Sequence, residues 1–417
     1  MSGLVINGGN CLNGEANVIG AKNSVLPLLA ATYLCDGQCI LHNWPDLSDV
    51  RVSLDILKCL GCKCEKNGNT VVISSNGSCG MIIPECLMRE MRSSIVFMGA
   101  VAAKCGSAVM SLPGGCELGP RPIDLHIDAL KRLGANIECN GGNLYCEFKN
   151  GVVGSDIHLK FPSVGATENI ILASATGKGT TVIHNAAKEP EITDLCNFLN
   201  LAGADIYGQG SDIITVNGVK SLKGVEYTVM PDRIVAATYM FAAAACSGKV
   251  RINGIITENI IPIVSCLRDC GCEIESENNS IIVKAHSRLN GFDTVSTQPY
   301  PGYPTDAGPP LVAFGTILKG TSIFIENIFD SRFKYIDELV RLGAKIKIIG
   351  RVAVITGVKN LYAADLMATD LRGGAAMVIG AMCAKGKSSI DNVEFIDRGY
   401  ERIEDALSSL GADIKRY

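Results

Sequence analysis

LKRLGANI, running from Leu130 to Ile137, has five counterparts in the same chain: LKCLGCKC (57–64), LNLAGADI (199–206), LRDCGCEI (267–274), LVRLGAKI (339–346) and LSSLGADI (407–414). The central glycines are Gly61, Gly134, Gly203, Gly271, Gly343 and Gly411, spaced 73, 69, 68, 72 and 68 residues apart. A glycine just past a helical run is a helix C-terminus, because the closing turn needs positive φ. The segments that follow, such as SDIITVNG and VAVITG, have strand composition. Upstream of most copies lies a glycine, a β-branched run and an asparagine: GQCILHN to Asn43, GTTVIHN to Asn185, GKVRIN to Asn253, GKSSIDN to Asn392. In the second copy GSAVMSLPGG takes that place. Each unit therefore reads as helix, strand, helix and a strand pair, and six such units are too large for a thin solenoid. The fold class is α/β, in closed domains.

The ends follow from the repeat. The sixth copy stops at LGADIKRY, before its final strands, and VINGGNCLNG (Val5–Gly14) matches TVNGVKSLKG (Thr215–Gly224) at an offset of 210. The opening segment is thus expected to complete the last repeat by strand pairing. This predicts one domain over residues 22–230 and a second made of residues 1–21 plus 231–417, with three repeats in each.

The bulk numbers agree with two globular domains. The chain has 417 residues, 47% hydrophobic and 19% charged, too many for one ordinary core and too apolar for disorder. Its net charge, 38 basic against 42 acidic residues, is −4, which argues against nucleic-acid binding. MSGLVINGG shows no secretory signal, and the apolar runs are too short to span a bilayer, so a cytoplasmic protein with no membrane partner is expected. Eighteen cysteines and five histidines show no metal-ligand spacing beyond the C-x-x-C-x-C of Cys59, Cys62 and Cys64. Cys62 stands where other repeats carry alanine. Most of the thiols therefore read as small core residues, and no metal is expected.

One stretch breaks the repeat. LPGGCELGPRPIDLH, Leu112–His126, packs three glycines and three prolines around Cys116 and is followed at once by Arg121 and Asp124. Such a run holds neither helix nor strand. It is either a surface loop with an incidental cysteine or a loop presenting a reactive thiol beside an anion. Charged groups also gather where each repeat starts a new helix: Lys22 and Asn23, Arg89 and Arg92, Lys160 and Ser163, Asp232 and Arg233, Asp306, Asp370 and Arg372. Helix N-termini together with cations suit a phosphorylated substrate. FPSVGATEN places Ser163, Val164 and Gly165 before a helix, like a phosphate-cradling turn. PGYPTDA mounts Asp306 on a stiff loop, as either a general base or a helix N-cap.

Together these motifs resemble the enolpyruvyl transferases from end to end: GAKNSVLPLLAA, the LPGGC loop with RPIDLH, SVGATEN, NAAKEPEI, PDRI, PGYPTD, SRF, TDLR and IDRGYERIEDAL. The resemblance implies two inside-out α/β barrels, each of three βαβαββ units, with an interdomain active-site cleft. It implies transfer of the enolpyruvyl group of phosphoenolpyruvate to the 3-hydroxyl of UDP-N-acetylglucosamine, with release of phosphate and without cofactor or metal. Lys22, Arg121 and Arg398 would surround phosphoenolpyruvate, with Arg332 and Arg372 nearby. Asn23, Arg92, the run Arg121, Pro122, Ile123, Asp124 and Leu125, the segment Lys160 to Gly165, Asp306 and Ile328 would meet the UDP-sugar. Cys116 matches the family's proton-donating thiol, which fosfomycin alkylates.

The residue types suit that chemistry. A thiol can protonate the enol methylene, a carboxylate can take the hydroxyl proton, and fixed cations can neutralise the phosphorylated substrate. One departure stands out. After PTD this chain reads AGPP where the family usually carries glutamines, which alters the wall beside Asp306. Two other readings remain: a transferase using shikimate 3-phosphate, which the LPGGC loop argues against, and a catalytically silent UDP-sugar sensor.

Overall fold

The structure, a computed structural model, describes residues 2–75, 77, 79–112, 123–286 and 288–417. These residues fall into two compact units, one of residues 20–112 and 123–230, the other of residues 2–19 and 231–417.

All six repeat glycines adopt φ between 94° and 106° immediately after a helix, and Asn43, Asn185 and Asn392 sit at φ 55–58°. These are left-handed positions that glycine and asparagine tolerate best. The two recurrent phrases are therefore the two turns of one supersecondary unit. In the second repeat, Ile82–Ile83 runs parallel to Ser107–Ser111, which pairs antiparallel with Asn143–Glu147, itself antiparallel to Asn136–Asn140. Gly141 and Gly142, at φ 58° and 80°, close that last hairpin as a two-residue turn. The same strand order, one parallel and two antiparallel pairings, recurs in six four-stranded sheets. Each is a βαβαββ unit.

Two units borrow a strand. Asn13–Asn17 precedes the helix Lys22–Leu34 but pairs parallel with Lys249–Asn253, whereas Glu226–Thr228 precedes the helix Arg233–Ala245 but pairs parallel with Gln38–His42. Leu4–Asn7 lies between Lys387–Asp391 and Asp413–Arg416, antiparallel to both.

Within the first unit the helices Lys22–Leu34, Phe97–Cys105 and Val164–Ser174 pack on one another, and in the second Arg233–Ala245, Gly308–Gly315 and Leu371–Cys383 do the same. Their sequences, such as RIVAATYMFAAAA, are apolar almost all round, and nearly every residue in them is buried. A helix without a polar face belongs at a centre, not on a surface. Small residues allow close approach: a Cβ on Gly99 would meet the Asn169 carbonyl at 2.6 Å. Amphipathic helices such as Ser48–Cys59 and Asp124–Arg132 lie against the sheets with one face exposed. Helices inside and sheets outside make each unit an inside-out α/β barrel. Phe241 and Phe314, with rings 5.8 Å apart, are among the side chains whose burial contributes about 1.5–3 kcal/mol each.

Of the seventeen cysteines described, nine are buried, three half-buried and five exposed, so core packing accounts for a little over half of the described thiols. Cys59 is exposed, Cys62 buried and Cys64 half-buried. Among the described residues no cluster of three His, Cys, Asp or Glu side chains is placed to hold a metal ion, and no helix is long and apolar enough to cross a membrane.

Candidate active site

In the first unit the central helix begins with Lys22, whose ammonium lies 2.7 Å from Asp49 at the start of Ser48–Cys59; the two side chains are 9% and 4% exposed. A buried ion pair of this kind orients the lysine. Asn23, next in line, is exposed. Ser24 donates its hydroxyl to Asp194, which also accepts from Tyr227 Oη at 2.7 Å and the Met230 amide at 3.4 Å. Burial pushes the Asp194 carboxyl above its ordinary range, while these three donors pull it back. The Lys22–Asn23 corner is thus braced on both sides.

Asp124 starts the helix Asp124–Arg132 and is exposed, while Ile123 and Leu125 are half-buried. Leu125 and Lys160 line one pocket of about 410 Å³, with Asp128, Lys131, Arg132 and His158 at its rim and Ala129, Ile157 and Leu159 as its apolar floor. Its volume is that of a small-molecule site. Ser163 is the N-cap of Val164–Ser174, its hydroxyl accepting from the Ala166 amide at 3.3 Å. The expected phosphate cradle is therefore a self-capped helix start. Gly165 lies against His126, where a Cβ would stand 3.0 Å from the ring. The ring is fixed in turn. Asn169 accepts from the Gly99 amide at 2.8 Å, which orients its own amide to donate to His126 Nδ1 at 2.7 Å and to the Ile95 carbonyl at 3.0 Å. Arg92 opens the short helix Arg92–Val96 and is half-buried, whereas Arg89 is an exposed residue paired with Glu85. Cys116, Arg121 and Pro122 lie outside the described residues.

In the second unit the site is a carboxylate between two arginines. Asp306, in the turn Thr305–Ala307, accepts from Arg332 Nη2 at 3.0 Å and from Arg372 Nε at 3.3 Å. Both arginine side chains are 1% exposed. Phe329 packs against Arg332 at 5.7 Å, and Tyr400 against Arg372 at 5.2 Å. Two guanidinium groups share this carboxylate in a buried place, and the charge of Asp232 also acts on Arg372. Moreover, among the described residues Nε of Arg332 makes no hydrogen bond of ordinary geometry, and the terminal nitrogens of Arg372 have the Tyr400 hydroxyl as a partner of poor geometry. Buried N–H groups of this kind are unstable without an acceptor, and a phosphate or carboxylate ligand supplies one. Asp306 is not a helix N-cap, since Pro304 and Ala307 hold those positions here; among the described residues Asp232 and Asp370 are the aspartates that cap helices.

The AGPP segment has a definite consequence here. In Gly308–Gly315 the second and third residues are Pro309 and Pro310, which have no N–H, and the Gly308 amide donates to the Thr305 carbonyl. At this junction the helix terminus offers an anion nothing, contrary to the expectation from the repeat. Ile328 is half-buried, its amide 2.7 Å from Glu326. Arg398, half-buried, ends the short helix Val393–Arg398, beside Asp397, which Arg416 grips through two hydrogen bonds of 2.7 and 2.8 Å.

The structure therefore gathers Asp306, Arg332 and Arg372 into one cluster and Leu125 with Lys160 into one pocket. Sequence reasoning did not reach Asp49, Asp194, Glu326 or Tyr400. Only Tyr400 carried a signal, standing in the IDRGYER motif.

An inside-out barrel built from βαβαββ units is the fold of the enolpyruvyl transferases. The family model for EPSP synthase (3-phosphoshikimate 1-carboxyvinyltransferase) matches residues 6–407, and the chain belongs to this family. It is 50% identical over 416 residues, spanning both chains completely, to UDP-N-acetylglucosamine 1-carboxyvinyltransferase 2 of Caldanaerobacter subterraneus subsp. tengcongensis. It is 45% identical, over 100% of its own length and 98% of the relative's, to UDP-N-acetylglucosamine 1-carboxyvinyltransferase 1 of Carboxydothermus hydrogenoformans. Among solved structures the enolpyruvyl transferase NikO of Streptomyces tendae superposes with a TM-score of 0.90 at 23% identity, covering 100% of this chain and 98% of the other. EPSP synthase of Acinetobacter baumannii superposes with a TM-score of 0.77 at 18% identity over the whole of both chains.

Proposed function

We propose that the protein transfers the enolpyruvyl group of phosphoenolpyruvate to the 3-hydroxyl of UDP-N-acetylglucosamine in the cytoplasm, releasing phosphate, as the first committed step of peptidoglycan synthesis. The observation that carries this reading is the Asp306–Arg332–Arg372 cluster, a carboxylate fixed between two buried guanidinium groups.

The chemistry proceeds by addition and elimination. The sugar oxygen bonds to C2 of phosphoenolpyruvate as Asp306 accepts its proton and Cys116 delivers a proton to the methylene carbon. The resulting tetrahedral adduct then loses a proton from that same carbon, and phosphate departs with the electrons of the C2–O bond. Arg332 and Arg372 stabilise the charge that builds on the departing phosphate, and Lys22, Arg121 and Arg398 hold the anionic groups. Asn23, Arg92, Ile123 to Leu125, Lys160, Ser163 to Gly165 and Ile328 hold the sugar nucleotide.

A phosphate-release assay tests the reading. Release requires both substrates, and shikimate 3-phosphate does not replace the sugar nucleotide. Asp306→Asn keeps UDP-N-acetylglucosamine binding within about tenfold while turnover falls by roughly two orders of magnitude, the scale of general-base catalysis. Near-normal turnover of Asp306→Asn removes it from the mechanism. A wild-type protein that binds the sugar nucleotide without releasing phosphate is the silent sensor.

A further inference from the structure

The turn after the strand Thr321–Ile325 is organised around a carboxylate that none of the roles above uses. Glu326 is 1% exposed, and its two oxygens accept four hydrogen bonds. Oε1 takes the Thr297 hydroxyl at 3.0 Å and the amides of Ile328 and Phe329 at 2.7 and 3.1 Å; Oε2 takes the Thr305 hydroxyl at 2.8 Å. No lysine, arginine or histidine among the described residues forms an ion pair with it. A buried charge is tolerated only when its acceptor sites are filled, and here hydroxyls and amides alone fill them.

The two segments it joins are the two that flank the arginine cluster. Thr305 precedes Asp306, and Ile328 and Phe329 lead into Arg332. Thr297 is itself held, its hydroxyl accepting from the Asn327 amide at 2.8 Å and its carbonyl from the Asn327 side chain at 3.1 Å. Arg332 closes the circuit, donating to the Thr305 carbonyl at 3.2 Å as well as to Asp306. Thr305 is thus gripped by Glu326 through its side chain and by Arg332 through its backbone.

We propose that Glu326 is a positioning residue. Through Thr305 it places the Asp306 carboxylate, and through two amides it fixes the backbone at Ile328 that meets the sugar nucleotide. The proposal rests on the roles of Asp306 and Ile328 given above.

Steady-state kinetics of four variants test it. In Glu326→Gln the remaining oxygen keeps its three donors and the Thr305 hydroxyl turns to accept from the new amide, so kcat and KM stay within about threefold of wild type. Glu326→Ala lowers kcat at least about tenfold and also raises the KM for UDP-N-acetylglucosamine at least about fivefold, because both arms are lost. Thr305→Val cuts only the arm to Asp306, so kcat falls about fivefold while that KM is unchanged. A merely structural role lowers the active fraction and moves no KM. An unchanged sugar-nucleotide KM in Glu326→Ala therefore overturns the proposal, and if that variant does not fold, wild-type kcat in Thr305→Val overturns it. Asp306→Asn separates the failures. If it is slow while Thr305→Val and the Glu326→Ala KM are unchanged, the positioning role alone falls; if it is fully active, the reading of Asp306 falls.

Discussion

Glu168 sits in the central helix Val164–Ser174, 7% exposed, and its carboxyl is pushed from an ordinary 4.5 up to about 8. Burial is the main cause, and the charges of Glu191 and Glu189 add to it. Below about pH 4.5 the carboxyl is protonated folded or unfolded and contributes nothing. Between 4.5 and 8 the unfolded chain releases the proton while the folded chain keeps it, so the unfolded state gains stability as pH rises. At about 1.4 kcal/mol for each tenfold change in proton affinity, the full rise amounts to roughly 5 kcal/mol, and local opening brings the realised effect to about 3–5 kcal/mol. Glu168→Gln has nearly the same shape and cannot ionise. Its stability should lie within about 1 kcal/mol of the wild type at pH 5 and exceed it by about 3–5 kcal/mol at pH 8. The assay is urea unfolding at pH 5, 6.5 and 8, followed by the fluorescence of Trp44. That residue is the sole tryptophan of the chain, is 4% exposed, and lies in the same unit as Glu168. Curves for the two proteins that stay parallel across this range, within about 1 kcal/mol, refute the argument.

Three further outcomes are expected. Arg372→Lys keeps the charge but loses the planar fork, so kcat/KM for phosphoenolpyruvate should fall about a hundredfold; a wild-type value would mean that the Arg372 guanidinium serves no ligand. Gly165→Ala drives a methyl group to 3.0 Å from a His126 ring that Asn169 holds in place. It should cost about 1–3 kcal/mol in the Trp44-monitored unfolding and weaken UDP-N-acetylglucosamine binding, whereas an unchanged midpoint would show that the ring gives way. A fosfomycin-type epoxide should label Cys116 ahead of the exposed Cys11, Cys59, Cys79, Cys86 and Cys139, read by mass spectrometry; preferential labelling of any of those five removes Cys116 from its role.

The architecture was legible because its signals are local. A glycine that must take φ near 100° recurs in all six copies, and the other turn asks for a left-handed residue, met by Asn43, Asn185 and Asn392 at φ near 55° and by Gly254 at 72° where Asn253 instead ends the strand. The truncated sixth copy was equally visible, since an unfinished sheet needs a strand from elsewhere. The site was legible only in part. Asp306 declared itself through its stiff mount and Arg372 as one of the charged residues at the repeat junctions, but Arg332 entered by resemblance, because nothing in SRF or TDLR says that both side chains will be buried against one carboxylate. Asp49 and Glu326 were invisible for the same reason. Their side-chain partners lie 27 and about 20–30 residues away, and a long-range pairing leaves no mark on a single sequence.

The repeat also misled in one respect, and the correction bears on how the site works. Six helix starts at equivalent positions suggested six amide-lined anion sites. In the second unit each of the three is already occupied by the chain itself: Asp232 bonds the amides of Ile234 and Val235, Asp370 those of Arg372 and Gly373, and Pro309 and Pro310 have none to offer. A carboxylate at a helix N-terminus complements the macrodipole and leaves little of it for a ligand. In the first unit Ser163 caps its own helix in the same way. The cations of the second unit's cluster are therefore side-chain guanidinium groups, Arg332 and Arg372 on either side of Asp306, and not helix N-termini. The helix caps are what hold those groups still. Asp370 bonds the backbone of Arg372, whose side chain bonds Asp306, so one aspartate fixes the frame on which the other is placed.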